Sequence, residues 1–514
     1  MASGAPEPHH HKLGPLQHAL VTTGVILGML MQVLDTTIAN VALPHMRASL
    51  SATPETISWV LTSYIVASAI AIPITGWLAD RVGRKPLFVW AVIAFTIASL
   101  LCAIAQSLTE MVIFRAIQGV AGAFIVPLAQ ATLFDINPRE KHGSAMALFG
   151  AGVMIGPIMG PVLGGWLTDS YDWRWCFLIN LPVGAVAALL MARCMPKIPK
   201  VSRRFDMFGF AMLAIALASL QLMLDRGEQL DWFSSWEIRI ELGLAIGGFW
   251  MFFVHMFTAR QPIFDRAMFA DRNFSAGLIF MGVMGVMMFA GLALLPTLLQ
   301  SLLGYSVLQA GFLTAPRGLG TLVSMIVVGR LTGKVEARLL VLAGLLLLAY
   351  SLWQMSGFSL GMDRRPIIVS GVIQGLSLGL IFVPMNTVAF GTLAAKFRTT
   401  AAALFNLSRS LGGSIGISIM TLLLAQNLQR SHSDLAAHIT PYSLPPIDPA
   451  LTQGVPPATD AVLMMLDNEI NRQAAMIAYI DDFWLMMILT LATAPLLLLL
   501  KKGRKPEGPA PVME

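Results

Sequence analysis

The sequence predicts an all-α polytopic membrane protein, with two six-helix bundles separated by two inserted helices and fourteen transmembrane helices in all. Three observations predict it. Apolar residues fill 56% of the 514 positions and charged residues only 12%, where a soluble domain holds about 25% charged residues. Apolar runs of about 18 residues or more recur along nearly the whole chain, each long enough to cross a bilayer as a helix. Lysine and arginine also concentrate in alternate loops, as an even number of crossings requires.

The apolar runs place the first six helices at about 18–43, 56–79, 86–106, 109–133, 143–168 and 174–194. Two follow at about 205–225 and 237–258, and six more at about 273–301, 307–330, 337–356, 366–391, 399–426 and 481–500. With both ends inside the cell, loops and tails on that side hold 23 of the 34 Lys and Arg residues, and the opposite loops hold seven. One missed helix would scramble that split, so the basic residues support both the count and two cytoplasmic termini. The stretch before His18 is polar and the first apolar run too long for a signal core, which argues against a cleaved leader.

Organisation follows from these segments. Tails are expected at 1–17 and 501–514, a first bundle at 18–200, the inserted pair at 201–260 and a second bundle at 261–500. A weak internal repeat supports the two bundles: Gly76 to Lys85 follows the second helix, and Gly329 to Arg338 follows the second helix of the last six. Such a parallel repeat places a binding site between the halves. The stretch 427–480 is expected to be a long outside loop. It begins with Pro441, Pro445, Pro446, Pro449, Pro456 and Pro457, and becomes an amphipathic helix from Thr459 that lies on a surface or docks a partner.

Composition also excludes functions. The net charge of +6 is explained by the loop asymmetry and gives no support to nucleic-acid binding. Cys102, Cys176 and Cys194 are scattered, with neither disulfide nor zinc spacing, and His9-His10-His11 is too short for a metal site. No HExxH, nucleophile elbow or nucleotide loop is present. Neither an enzyme nor a cofactor or metal requirement is expected.

Charges inside the membrane runs point to function. Asp35 lies in the first helix, and a charge at such depth costs on the order of 2.5 kcal/mol or more. It reads as the only carboxylate deep inside a membrane-length run. Arg115 lies in the fourth helix. At 1.5 Å per residue both sit roughly 10 Å below the outer surface. Matching depth permits a pair that either locks two helices or competes with protonation of Asp35. Arg239, Arg317 and Arg409 are the other cations within the runs, and of these Arg317 and Arg409 are each able to bind an anionic or polarisable substrate or to satisfy carbonyls of its own half. Gln32, Asn40, Gln130 and Asn386 are cavity candidates, or packing hydrogen bonds.

Two motifs are more specific. The loop after the second helix reads Gly76-x-x-x-Asp80-Arg81-x-Gly83-Arg84-Lys85, followed by Pro86 at a helix start. The fifth helix carries Gly152, Gly156, Gly160 and Gly164 at four-residue spacing, with Pro157 and Pro161 between them. The glycines form a stripe for close backbone approach, and the prolines favour a bend.

The loop resembles the signature loop of the major facilitator superfamily, and the glycine stripe its antiporter motif. The run Leu34 to Pro44, the helix count and the turn Leu224 to Ser235 resemble the 14-helix DHA2 (EmrB/QacA) family of drug:proton antiporters. That resemblance covers about residues 18–500. It implies the major facilitator fold, and export of drugs against protons from a Gram-negative inner membrane. It further implies a tripartite pump with a periplasmic adaptor (EmrA-like) and an outer-membrane channel (TolC-like). Asp35 would carry the proton with Arg115 as its partner. The stripe would seal the cavity, and Asp80 and Arg84 would latch a cytoplasmic gate, with Asp80 near the start of the thirteenth helix at Thr399. A single deep carboxylate suits neutral, weakly acidic or amphipathic substrates better than dications. The rival readings are an exporter of one endogenous metabolite and a non-transporting sensor or scaffold.

Overall fold

The computed structural model describes residues 13–196, 200, 204–332, 334–439 and 460–500. Among them, fourteen helices are long and apolar enough to cross a membrane. The first six are α1 (Pro15–Ser49), α2 (Trp59–Val82), α3 (Arg84–Ile104), α4 (Leu108–Ile136), α5 (His142–Ser170) and α6 (Trp175–Cys194). The inserted pair is α7 (Met207–Arg226) and α8 (Trp236–Thr258). The last six are α9 (Arg272–Leu302), α10 (Gln309–Leu331), α11 (Ala337–Met355), α12 (Arg364–Gly391), α13 (Ala395–Ala437) and α14 (Leu463–Leu499). An even number of crossings puts residues 13 and 500 at one end, called here the terminal end.

Local chemistry sets the helix limits. Pro15 opens α1, where its missing N–H is no loss. A 3-10 turn at Ile72–Ile74, containing Pro73, interrupts α2. Gly83 ends α2 at φ 103°, a conformation that side chains rarely tolerate, and α3 starts at the next residue. Ser107, Asp206, Asp271 and Ser306 cap α4, α7, α9 and the helix that becomes α10. Each such cap contributes about 1 kcal/mol.

The two halves pack alike. In the first, α1 lies on α5, α2 on α4, and α3 on both α4 and α6; in the second, α9 lies on α13, α10 on α12, and α11 on both α12 and α14. Contacts between halves obey the same twofold relation: α2 meets α13 as α10 meets α5, and α4 meets α13 as α12 meets α5. The inserted helix α7 leans on α2 and on α13, so it touches both halves. Thr62 of α2 hydrogen-bonds the Asp225 carboxylate, and Ser418 of α13 donates to the Leu224 carbonyl at 2.9 Å.

The long outside segment differs from expectation. The helix anticipated from Thr459 forms, yet it does not lie apart on a surface. Asp460–Ala492 is one unbroken helix that enters the membrane as α14. Its sequence contains neither Pro nor Gly, so nothing stops the helix at the polar-to-apolar boundary. Helix α13 likewise continues to Ala437, and the two extensions meet where His432 Nε2 and Asp467 Oδ1 lie 2.9 Å apart. The proline-rich stretch 441–457, the terminal tails and the histidine run lie outside the described residues. This pairing has a direct test. With the native cysteines replaced, H432C/D467C should be joined by a short bismaleimide, read as a mobility shift after proteolysis between the two sites. Failure to cross-link in the folded, membrane-inserted protein would mean that the extensions do not pair.

Candidate functional site

Asp35 and Arg115 are 1% and 0% exposed, shut away from bulk solvent. They satisfy each other instead: Arg115 Nη1 donates to Asp35 Oδ2 at 2.7 Å. The other carboxylate oxygen accepts from Gln118 Nε2 at 2.9 Å and from Asn180 Nδ2 at 2.8 Å. Arg115 also donates to Gln118 Oε1 at 2.7 Å and to the Val60 carbonyl at 3.2 Å, and its guanidinium lies over the Tyr64 ring at 4.3 Å. Asn180 is held in turn by Ser99 Oγ at 2.9 Å, and Gln32 Nε2 reaches the Tyr64 hydroxyl at 2.9 Å. Helices α1, α2, α3, α4 and α6 therefore converge on one carboxylate. Breaking such a buried pair by removing one partner costs about 3–5 kcal/mol.

The glycine stripe of α5 positions the same segment of α1. A Cβ at Gly152 would strike Met29, at Gly156 Val33, at Gly160 Thr37, and at Gly164 Val41 and Ile38. Val33 and Thr37 bracket Asp35, and the Thr37 hydroxyl donates to the Gly156 carbonyl at 3.1 Å. Pro157 and Pro161 interleave with the stripe and face a cavity.

Polar residues from both halves meet nearer the terminal end. Gln130 Nε2 of α4 donates to Asn386 Oδ1 of α12 at 2.7 Å, and Asn406 Nδ2 of α13 donates to Gln130 Oε1 at 3.0 Å. Arg409 Nη2 donates to Asn406 Oδ1 at 3.0 Å. Gln130, Asn386 and Arg409 thus form one chain across the interface, away from Asp35. Asn40 joins neither group: it is exposed, with no side-chain hydrogen bond to a described residue.

At the terminal end, the predicted loop sits on the other half. A Cβ at Gly76 would strike Thr400 in the first turn of α13, which brings Asp80, one turn on, to the same region. Arg81 lies over the Trp77 ring at 5.2 Å. Arg84 pairs with Asp135 of α4, and Arg398 Nη1 of α13 reaches the other oxygen of Asp135 at 2.9 Å. One carboxylate therefore holds an arginine from each half.

Arg317 has no hydrogen-bond or ion-pair partner for its guanidinium among the described residues. It lines a cavity of ≈ 80 Å³ among α5, α9, α10 and α12, which shares the wall residues Met154 and Leu378 with a ≈ 20 Å³ cavity that Arg409 lines.

One sequence expectation fails. Asp35 is not the only buried carboxylate in a membrane-length helix: Asp482 of α14 is 0% exposed, and among the described residues neither of its carboxylate oxygens has a hydrogen-bond partner. Hydropathy placed it at the tip of a shorter last helix. The continuous helix instead buries it beside Phe483, which packs edge-on against Phe358.

Other residues of these networks were not singled out by sequence, among them Tyr64, Ser99, Gln118, Asp135, Asn180, Arg398 and Asn406. Gln118 had a signal, three residues after Arg115 and so on the same helix face. Asp135 had another, an acid in the last turn of a helix, where the dipole disfavours it and a cation must compensate. Asn180, Arg398 and Asn406 had none beyond polarity.

Twofold-related helical bundles around a buried carboxylate–arginine pair are the architecture of a membrane transporter. The chain belongs to the Major Facilitator Superfamily, whose family model matches residues 25–417. It is 37% identical over 430 residues to the multidrug export protein EmrB of Escherichia coli K12, covering 83% of this chain and 84% of that one. It is 36% identical over 490 residues to the fatty acid resistance protein FarB of Neisseria gonorrhoeae, covering 94% and 96%. Among solved structures it shares the fold of the human organic anion transporter MFSD10, with a TM-score of 0.59 at 16% identity, over 93% of this chain and 100% of that one. The proton:xylose symporter XylE shares it too, with a TM-score of 0.57 at 15% identity, over 95% and 99%.

The shared carboxylate yields a prediction. Asp135→Asn should favour the conformation that is open at the terminal end. A single cysteine at Thr400, half-buried against Gly76 here, should then react with a polar maleimide in nanodiscs about tenfold faster, the factor that 1.4 kcal/mol produces. An unchanged rate would remove Asp135 from the latch.

Proposed function

We propose that this protein is a proton-coupled antiporter of the 14-helix drug-export kind, expelling hydrophobic or amphipathic toxicants by alternating access. The observation that carries the reading is the buried Asp35, whose two oxygens are occupied by three N–H donors from Arg115, Gln118 and Asn180. A proton arriving on Oδ2 displaces Arg115, and a proton arriving on Oδ1 faces two amide donors. Either way, protonation breaks a contact between α1 and α4 or α6 and biases the two conformations differently. The stripe of α5 grips α1 at Val33 and Thr37, so a shift of α1 is passed to a helix that packs on the second half. The relatives' names, multidrug export and fatty acid resistance, support export of apolar and amphipathic compounds.

On this reading the terminal end is cytoplasmic, as the basic loops argue. The contacts there among Asp135, Arg84, Arg398, Gly76 and Thr400 form a closed inner gate, with Asp80 assisting at the start of α13. The extensions of α13 and α14 then project from the outer face of a Gram-negative inner membrane. They offer a surface to a periplasmic adaptor (EmrA-like) that leads to an outer-membrane channel (TolC-like).

The test is transport in proteoliposomes under an imposed pH gradient. Asp35→Asn should abolish gradient-driven export while the protein remains folded and inserted. Full gradient-driven export by that variant would sink the proton-carrier role. Arg115→Lys keeps the charge but cannot reach Asp35, Gln118 and the Val60 carbonyl together. Its rate should fall by about tenfold or more, the loss of one charge-assisted hydrogen bond of about 1.5 kcal/mol.

A further inference from the structure

We infer that Arg317 reads the charge of the substrate, and that the cavity around it binds the anionic head of an amphipathic monoanion. This deepens the transport reading above and rests on it.

The two halves differ in charge. In the first, the buried cation Arg115 is neutralised by Asp35 at 2.7 Å. In the second, Arg317 is 7% exposed, and its guanidinium makes no hydrogen bond or ion pair with any described residue. A buried guanidinium without a counter-ion costs several kcal/mol. Packing holds it in place: Gly375 and Gly371 of α12 let the backbone and Cβ of Arg317 approach closely. Its Nη1 lies 4.0 Å from where a Cβ of Gly291 would sit, and Gln374 Nε2 lies 3.4 Å from that point. The other amide atom of Gln374, Oε1, is buried and unpartnered. The absent side chain at Gly291 thus leaves a space with polar groups at its edge and the ≈ 80 Å³ cavity beside it.

The walls select the ligand. No acid lines the cavity, so a cationic head would meet Arg317 with no compensating charge. A carboxylate can accept two parallel N–H bonds from the guanidinium. Leu292, Leu295, Pro157 and Pro161 give the adjoining surface an apolar character. Beyond them lie Met154, Met281, Met284, Met288 and Met325, flexible side chains that reshape around varied apolar bodies. The cavity holds a head group, and the methionines must yield for the tail. Arg409, in the neighbouring cavity, is engaged by Asn406 at 3.0 Å, which leaves Arg317 as the cation of the site without a hydrogen-bond or ion-pair partner among the described residues. An occupant also touches Pro157 and Pro161 on the helix whose glycines grip α1 around Asp35, so binding and proton loading share a helix.

The experiment measures equilibrium binding to the purified protein in nanodiscs, with no gradient, so that failure of proton coupling cannot affect it. The probes are decanoate, decanol and decyltrimethylammonium, which share a chain and differ in head charge. Wild type should bind decanoate more tightly than either of the others. Arg317→Gln should weaken decanoate by about tenfold or more, as expected for a lost bidentate charge pair, and leave decanol within about threefold. Arg317→Lys should restore part of the preference. Equal weakening of all three probes by Arg317→Gln, or no change for decanoate, would overturn the assignment. So would wild-type binding of the cation as tight as that of the anion, a result that does not depend on any variant folding. Asp35→Asn should still bind decanoate while losing gradient-driven export, which separates this proposal from the coupling mechanism.

Discussion

The buried Asp35 carboxylate is the constraint that organises the first half of the molecule. A charge cannot be left bare in hydrocarbon, and the membrane supplies no water to relieve it. The fold therefore brings an arginine, two amides, a serine and an aromatic ring from four other helices to one point. Each partner is itself oriented: Gln118 by Arg115, Asn180 by Ser99, and Arg115 by the Val60 carbonyl and the Tyr64 ring. On the proposed mechanism, a network that occupies both oxygens of the carboxylate loses several contacts together when one proton is added. That is the behaviour required of a trigger.

Close helix approach turns the local network into a molecular one. The glycines of α5 place its backbone against α1 on either side of Asp35, while α5 also packs on α10 and α12 of the other half. Glycines do similar work at the second-half interface, where Gly329 of α10 packs against Ser144 and Ala147 of α5, and Gly143 against Thr332. The twofold partner of that contact is α2 on α13, again made by a glycine, Gly76 on Thr400. Interfaces of small residues carry little side-chain interdigitation, so their hold depends on backbone proximity and a few polar ties. Asp135 with Arg84 and Arg398, and Gln130 with Asn386 and Asn406, are those ties. Few and polar, they can be exchanged for water in the alternating access proposed above.

The helix count, their order and the division into two bundles and an inserted pair were legible because each rests on local signals: apolar run length, caps and loop charge. Asp35, Arg115 and the glycine stripe were legible for the same reason, since each violates what a lipid-facing helix would carry. The sequence could not show which polar residues meet, because Gln130, Asn386 and Asn406 lie more than 250 positions apart at the extremes yet touch across the interface. Nor could hydropathy locate the start of α14. It marks where polar residues begin, and a helix without Pro or Gly continues past that point, which is why Asp482 looked superficial and is buried. The unpaired state of Arg317 was equally hidden, for a lone arginine in a run reads the same whether or not a carboxylate faces it.

The charge difference between the halves has an energetic consequence for transport. If the first half returns a proton inward and the second carries a monoanion outward, both movements carry positive charge into the cell. An inside-negative potential then drives both, each by about 2.3 kcal/mol per 100 mV. A neutral substrate forfeits one of the two contributions, and a monocation cancels the proton's. A positively charged cavity in the second half, set against a neutral pair in the first, therefore does more than choose its ligand. On the proposed mechanism it also favours the substrates whose export the membrane potential assists.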